Sequence, residues 1–187
     1  KESILPASIG NLRKLTNLNL REIQIADFPE SIGQLQNLIE LNIDWLAVRS
    51  MPKTVAQLRY IKTLDFSGAF YQEEEEEQVL TLGWLGYWTQ IITLDLSDNN
   101  IKEIPTSIGD LVNLKKLNLG RNPIEQLPES IGNLQSLISL DATNTALKEL
   151  PQSFVQLKNL KSCFLKGLSI SNIEEIKEQM EWCVFIL

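Results

Sequence analysis

Histidine is absent from this chain of 187 residues, and its only cysteines are Cys163 and Cys183. The missing imidazole removes the commonest general base and the commonest metal ligand. Two cysteines cannot build a disulfide framework, and no Asn-x-Ser/Thr sequon occurs, so we expect a reducing, cytoplasmic location. The first residues show no signal-peptide pattern, but the chain starts within a repeat, so a secretion signal further upstream stays open.

Long apolar runs and catalytic motifs are also missing. No stretch of about 18 apolar residues occurs, which predicts that no segment spans a membrane. The net charge of −7 would repel a phosphate backbone, which argues against nucleic-acid binding. Phosphate loops of the GxxxxGK[ST] type, CxxC pairs and HExxH motifs do not occur. We therefore expect a protein that is not an enzyme and that needs no cofactor.

The sequence does contain an internal repeat. Its copies follow one another at a spacing of 23 residues, except for one spacing of 30. The longer spacing indicates a seven-residue insertion between Ile61 and Ile91. The copies start at residues 15, 38, 61, 91, 114, 137 and 160.

Each copy opens with a segment close to LxxLxL, and most continue with a segment close to Leu-Pro-x-Ser-Ile-Gly-x-Leu. Leu18 and Leu20 lie two residues apart, so both side chains would face the same side of a strand. Pro29 would fix φ where the chain begins its return. One copy is too small to bury its apolar side alone, and stacked copies bury it against each other.

These segments resemble the leucine-rich repeat, LxxLxLxxNxLxxLPxxIxxLxx, over nearly the whole chain. The resemblance implies an α/β fold, a leucine-rich-repeat solenoid with a curved parallel β-sheet on its concave side and short helical or 3-10 turns on its convex side. The repeats are similar to those of intracellular bacterial proteins and of plant immune-receptor sensor regions. The family's turn asparagine remains only at Asn99 and Asn122, so we expect less regular turns toward both ends.

We predict a single domain that is divided into repeats and caps. The N-terminal end would expose apolar surface, which favours more repeats or another domain upstream of Lys1, with a simple cap as the alternative. The predicted segments are a partial repeat or N-terminal cap at 1–14, seven repeats at 15–170 with an acidic insertion near 70–84, and a C-terminal cap at 171–187.

The C-terminal cap is predicted to be a helix followed by a strand. Ile173, Ile176 and Met180 recur at helical spacing. The helix would be capped by Ser171 or Asn172. The apolar segment Cys183–Leu187 would form the closing strand.

Outward strand residues would form the concave face, which is the predicted binding surface. Trp45 is the strongest single candidate, because Trp is enriched among binding hot spots and Gly68 in the next repeat leaves room beside its ring. The alternative for Trp45 is that the ring folds over the rim onto its own repeat. For the charged residues the alternative is a solvated face. The concave-face candidates are Glu40, Asp44, Trp45, Asp65, Asp95, Lys116 and Arg121.

The insertion is a second candidate site. Its run of glutamates repels itself and stays hydrated, which predicts a mobile loop, with an acidic arm for a basic partner as the alternative. Leu85 and Trp88, which follow it, fall at core positions of the repeat. The candidates are Glu73, Glu74, Glu75, Glu76, Glu77 and Trp84.

A cation site is a further possibility, because Asp65 and Asp95 hold equivalent positions in adjacent repeats. No other convergent ligand accompanies them, so we expect no metal.

The resemblance implies a protein-interaction module or scaffold that binds a protein partner on its concave face and acts as a monomer. The alternative is a regulatory or substrate-recognition domain of a larger protein, of GTPase, kinase, ubiquitin-ligase or immune-receptor type, whose catalytic part lies outside this chain.

Overall fold

A single parallel sheet runs through the molecule. The computed structural model describes residues 5–21, 23, 25, 27–45, 48, 51–69 and 82–187. Within these residues, eight short strands follow one another in chain order, and each pairs in parallel with its neighbours. The strands are β1 (Asn17–Asn19), β2 (Glu40–Asn42), β3 (Thr63–Asp65), β4 (Thr93–Asp95), β5 (Lys116–Asn118), β6 (Ser139–Asp141), β7 (Ser162–Phe164) and β8 (Val184–Ile186).

The inward residues of the strands stack in register across the sheet. Leu18 pairs with Leu41, and Leu41 pairs with Leu64. Leu64 pairs with Leu94 in the same way, although 30 residues rather than 23 separate them. The insertion therefore leaves the sheet in register, because the apolar pattern of the next repeat sets the pairing.

Short 3-10 helices carry the chain back on the other side of the sheet, as the sequence predicts. Six of them directly follow a proline whose φ lies between −65° and −71°, which the pyrrolidine ring favours. In the described residues the 3-10 helices are Ala7–Asn11, Glu30–Gln34, Lys53–Gln57, Leu82–Tyr87, Thr106–Asp110, Glu129–Asn133 and Gln152–Gln156.

Neighbouring 3-10 helices approach closely, and this explains the glycine of the Ser-Ile-Gly segment. A Cβ at Gly33 would lie 2.5 Å from the carbonyl oxygen of Thr54. A Cβ at Gly132 would lie 2.6 Å from the carbonyl oxygen of Ser153. Both distances are too short for any side chain, so only glycine permits this stacking.

The core fills the space between the sheet and the 3-10 helices. Leu85 and Trp88 are fully buried, which confirms their predicted core positions. The Trp88 indole Nε1 donates a hydrogen bond to the Val55 carbonyl at 3.0 Å, and its ring meets that of Phe66 edge-on, with centroids 6.2 Å apart. These contacts join the chain segments on either side of the insertion and tie them to the preceding repeat.

The two turn asparagines that the sequence retains are both buried and fully bonded. Asn99 Nδ2 donates to the carbonyls of Phe66, Leu96 and Ser97 at 2.6–3.0 Å. Asn122 Nδ2 donates to three backbone carbonyls at 2.8–3.3 Å, and Asn122 Oδ1 accepts two backbone N–H groups, one of them from Asn99. At the same position of the next repeat, Thr145 makes one such bond, from its hydroxyl to the Ala142 carbonyl at 2.9 Å.

The C-terminal segment forms the predicted helix and strand. The helix, α1, spans Ile173–Gln179, and β8 pairs with β7. Asn172 precedes the helix, but its side chain does not cap it. The Asn172 amide instead bonds both backbone groups of Leu150, at 3.0 and 2.8 Å, so it ties the cap to the preceding repeat. In the residues described, no helix is long and apolar enough to cross a membrane.

Candidate functional site

A row of residues with left-handed backbone follows the strands. We call it the left-handed row. One member occurs in each repeat from the second to the seventh, and φ lies between 55° and 83° throughout. Backbone hydrogen bonds of 2.8–3.0 Å hold the row in register, for example from the Trp45 N–H to the Ser67 carbonyl. The members are Trp45, Gly68, Asp98, Arg121, Asn144 and Gly167.

Trp45 is the unusual member of this row. Its φ is 55°, a value at which a bulky side chain is a rare outlier. Its side chain is 58% exposed, and its ring lies over Gly68 of the next repeat, where a Cβ would stand 2.8 Å from two ring carbons. The ring therefore packs onto the following repeat rather than folding back onto its own, and the room beside Gly68 is used as the sequence predicts.

Trp45 and Arg121 line the same open groove at the carboxyl ends of the strands. The groove has a volume of about 410 Å³, and its other lining residues are Asp98, Asn100 and Pro123. Arg121 and Asp98 form an ion pair, with Nη1 and Oδ1 at 3.6 Å and with the arginine side chain 67% exposed. The groove thus combines apolar surface from Trp45 and Pro123 with a charged pair.

Sequence reasoning chose Trp45 and Arg121 as candidates but did not choose the three other lining residues, although the repeat period puts Asp98 on the outward face. Asp98 holds the position of Trp45 two strands further along. The period of the repeat could therefore have added Asp98 to the candidate residues. Asn100 and Pro123 lie in the turns beyond the strands, and no periodic signal marks them.

Asp65 and Asp95 are adjacent in register, as predicted, but their oxygens are occupied by the backbone and by neighbouring amides. Asp95 Oδ1 accepts the N–H and the hydroxyl of Ser97 at 2.9 and 2.6 Å, and its Oδ2 accepts the Asn118 amide at 2.8 Å. Asp65 makes the same bonds to Ser67 and to the Asn42 amide. Both carboxylates therefore shape the turns after β3 and β4.

The remaining concave-face candidates differ in accessibility. Asp44 is only 5% exposed, and its Oδ2 lies 3.0 Å from the Nε of Arg21, so little of it faces a partner. Glu40 is exposed and accepts a hydrogen bond from the Asn17 amide. Lys116 is exposed on β5, beside Thr93 and Ser139.

The insertion candidates are not placed by the structure. Glu73–Glu77 lie outside the described residues, as does the side chain of Trp84. Among the residues that are described, no group of three or more Cys, Asp or Glu side chains could hold a metal ion.

The two cysteines are not poised for chemistry. Burial, aided by Cys183 and Asp141, raises the pKa of Cys163 well above its usual range. Burial raises the pKa of Cys183 to about 11. Both thiols therefore stay protonated near neutral pH and are poor nucleophiles.

Comparison with known proteins finds similar sequences and folds among leucine-rich-repeat proteins. The family model described as "Leucine-rich repeat region" matches residues 94–180. A search of curated proteins gave no match. A solved leucine-rich-repeat protein of Leptospira interrogans is 27% identical with a TM-score of 0.75, over 99% of this chain and 52% of its own. Internalin C2 of Listeria monocytogenes is 24% identical with a TM-score of 0.78, over 95% of this chain and 73% of its own.

A plant receptor shares the fold as well. The Arabidopsis receptor kinase HAESA, solved with the peptide hormone IDA and a co-receptor, is 25% identical with a TM-score of 0.68, over 95% of this chain and 32% of its own. The chain is therefore similar to leucine-rich-repeat proteins, and its fold is the predicted solenoid with short 3-10 turns and a C-terminal helix and strand. It spans about half the length of the Leptospira protein.

Proposed function

We propose that this chain is a protein-interaction module that binds a protein partner through its concave face and the adjoining groove. The observation that carries the proposal is Trp45, which combines a left-handed backbone with a largely exposed ring. Left-handed backbone costs a residue other than glycine about 1–2 kcal/mol. A strained, exposed ring is understandable if a partner covers it, because strain of this kind tends to cluster at functional sites.

The groove suits a protein side chain rather than a charged small molecule. Trp45 and Pro123 supply apolar surface, and the Asp98–Arg121 pair supplies donors and acceptors beside it. An aromatic or aliphatic side chain of the partner would stack on Trp45, while a backbone group or polar side chain would bond Arg121. Trp and Arg are, together with Tyr, the residue types enriched among the hot spots of protein interfaces.

The comparisons support a binding role in general terms. HAESA is described as solved with a peptide hormone, and its leucine-rich-repeat fold is similar to this chain. Fold alone does not carry function, so the proposal depends on the residues of the groove.

Replacing Trp45 by Asn tests the proposal without disturbing the fold. Asn144 already occupies the same position of the left-handed row, with its side-chain amide over Gly167. Asparagine tolerates left-handed backbone, so the relief of strain offsets the lost ring packing, and we expect the free energy of unfolding to change by less than about 1 kcal/mol. Partners should be lost even though the protein stays folded.

The measurement is affinity capture from lysate of the organism that makes this chain, with quantitative mass spectrometry as readout. Wild type is compared with Trp45→Asn and with Lys148→Glu, an exposed substitution outside the groove. A protein retained by wild type and Lys148→Glu but lost with Trp45→Asn supports the groove. Equal retention by all three contradicts it.

The second candidate function is a regulatory or substrate-recognition role within a larger protein of GTPase, kinase, ubiquitin-ligase or immune-receptor type. It is favoured by the lengths of similar proteins, because the chain covers 52% of the Leptospira protein and 32% of HAESA. Sequencing of the complete reading frame distinguishes the two functions, since a nucleotide-binding or catalytic motif beyond this chain would support the second.

A further inference from the structure

The residues that directly precede the strands form a second row, at the edge opposite the groove. We call it the pre-strand row. In each pair of neighbours the N–H of one residue donates to the carbonyl of the residue before it in the row, at 2.7–2.9 Å. The row is therefore continuous across the sheet. Its members are Thr16, Ile39, Lys62, Ile92, Lys115, Ile138 and Lys161.

Isoleucine and lysine alternate along the pre-strand row. The three isoleucines precede β2, β4 and β6 and are half-buried, whereas the three lysines precede β3, β5 and β7 and are exposed. Neighbouring strands lie about 4.8 Å apart, so successive lysines stand about 9.6 Å apart. The edge thus presents positive charges at a fixed two-strand spacing, with apolar surface between them.

The turn residues beside the row follow the same alternation. We counted the charges in the six residues that end at each member of the row. Together these stretches contain seven basic side chains and one acidic one, Asp110, in a chain whose net charge is −7. All seven lie just before or at the start of the first, third, fifth and seventh repeats, and within the described part of the chain none forms an ion pair within 4.0 Å. The seven are Arg13, Lys14, Arg59, Lys62, Lys115, Lys158 and Lys161.

Two exposed tyrosines shortly precede members of the row in the chain. Tyr60 is 61% exposed, and Tyr87 in the next repeat is 66% exposed. The position of Tyr60 holds an asparagine in three other repeats, where its amide donates to a carbonyl of the preceding repeat, as Asn37 does to Arg13 at 2.6 Å and Asn113 does to Thr89 at 2.9 Å. Tyr60 has no amide to donate this hydrogen bond, and it exposes an aromatic ring instead.

We propose that this edge binds an extended acidic protein segment in polyproline II conformation, with a carboxylate at every third residue. Polyproline II repeats every three residues with a rise of about 3.1 Å each, so such carboxylates recur about every 9.3 Å. This matches the lysine spacing to within about 0.3 Å per step, which the flexible lysine stems absorb. An extended β-strand places its same-face side chains about 6.7 Å apart and falls out of step after one lysine.

The tyrosines complete the site. Proline-rich segments in this conformation dock on aromatic surface, because their shape is preformed and loses little entropy on binding. Tyr60 stands two residues before Lys62, and Tyr87 ends the 3-10 helix that precedes β4, the strand between those that follow Lys62 and Lys115, so both rings offer such surface near the charges. This second surface does not depend on the groove at the other edge of the sheet.

Synthetic peptides of matched composition test the spacing. The first probe repeats Glu-Pro-Pro three times, and the second contains the same residues with the glutamates adjacent. Binding is measured by fluorescence anisotropy at low and at physiological ionic strength, because surface charge interactions weaken with salt. We expect the spaced peptide to bind at least about tenfold more tightly than the clustered one, since only its carboxylates reach successive lysines.

Variants locate the binding. Lys115→Glu, in the middle of the row, should weaken the spaced peptide by about tenfold or more, because it replaces an attraction by a repulsion. Lys148→Glu makes the same change of charge at an exposed residue outside the row and should have little effect, and Trp45→Asn should bind like wild type. Circular dichroism checks that each variant is folded.

Three results would overturn the proposal. They are equal affinity for the two peptides, equal loss with Lys115→Glu and Lys148→Glu, and tighter binding of a single-stranded oligonucleotide of the same charge. The last result would make the edge a general polyanion surface. Loss of the spaced peptide with Trp45→Asn would assign the peptide to the groove instead, so the two proposals fail separately.

Discussion

Two pairs of neighbouring repeats use equivalent positions in different ways. In the repeats that start at Ile91 and Leu114, the turn position holds Asn99 and Asn122. Both side chains make hydrogen bonds to the backbone within the stack. In the repeats that start at Leu38 and Ile61, the turn position holds Leu46 and Ala69. The second pair instead carries the exposed rings of Trp45 and Tyr60.

The difference separates stability from recognition along the stack. In a repeat protein, each repeat contacts only its neighbours, so one pair of repeats can supply rigidity while another pair departs from the template. We therefore expect substitutions of Asn99 and Asn122 to change stability strongly, and substitutions of Trp45 and Tyr60 to change it little or to improve it.

The largest effect is expected for Asn122→Ala. The side chain is fully buried and makes five hydrogen bonds, and its loss leaves several buried backbone groups unpaired. We expect the free energy of unfolding to fall by about 3–4 kcal/mol, measured by urea denaturation. The matched control, Thr145→Ala, removes a single bond and should cost about 1 kcal/mol. Similar costs for the two variants would contradict the role given to the asparagine pair.

Gly68→Ala should have an intermediate effect, of about 2 kcal/mol. Gly68 has a φ of 59°, and an added methyl group would stand 2.8 Å from the Trp45 ring. In a Trp45→Gly background no side chain at position 45 stands over residue 68, so the cost should fall to about 1 kcal/mol, the part due to the backbone alone. Urea denaturation of the four chains measures the coupling, and an unchanged cost would show that the ring does not rest on Gly68.

The smallest effect, and the only stabilising one, is expected for Tyr60→Asn. The introduced amide can donate to the carbonyl of Gln36, as Asn37 and Asn113 donate to their preceding repeats. We expect the free energy of unfolding to rise by about 0.5 kcal/mol and the affinity for the spaced acidic peptide to fall. Tyr60→Phe is the control, because it keeps the ring and adds no amide. A loss of stability with Tyr60→Asn would mean that the ring supports the fold.

Much of the fold could be predicted from the sequence, because the apolar period alone sets which residues face inward. That period placed Leu64 opposite Leu94 across the insertion, and it identified α1 and β8 from Ile176, Met180 and the apolar C-terminal segment. The capping role given to Asn172 is not observed. Its amide finds both backbone groups of Leu150, a contact between repeats that no local pattern signals.

The candidate site was predictable only in part. Trp45 stands out because a ring at that position breaks the repeat, and Arg121 shares its groove. The structural use of Asp95 depends on the direction of the N–H two residues later, and the burial of Asp44 depends on Arg21 in another repeat. The repeat pattern indicates which residues point outward, and the residue type gives their charge. Neither reveals whether a carboxylate already has hydrogen-bond or ion-pair partners within the protein.

The unchanged register between β3 and β4 has a consequence for the segment between them. Adding residues between two repeats costs only loop-closure entropy, about 0.6 kcal/mol for each doubling of loop length, as long as the stacking contacts persist. Trp88 secures those contacts by reaching across to Val55. The segment between these strands can therefore vary in length and composition while the rest of the stack stays unaltered.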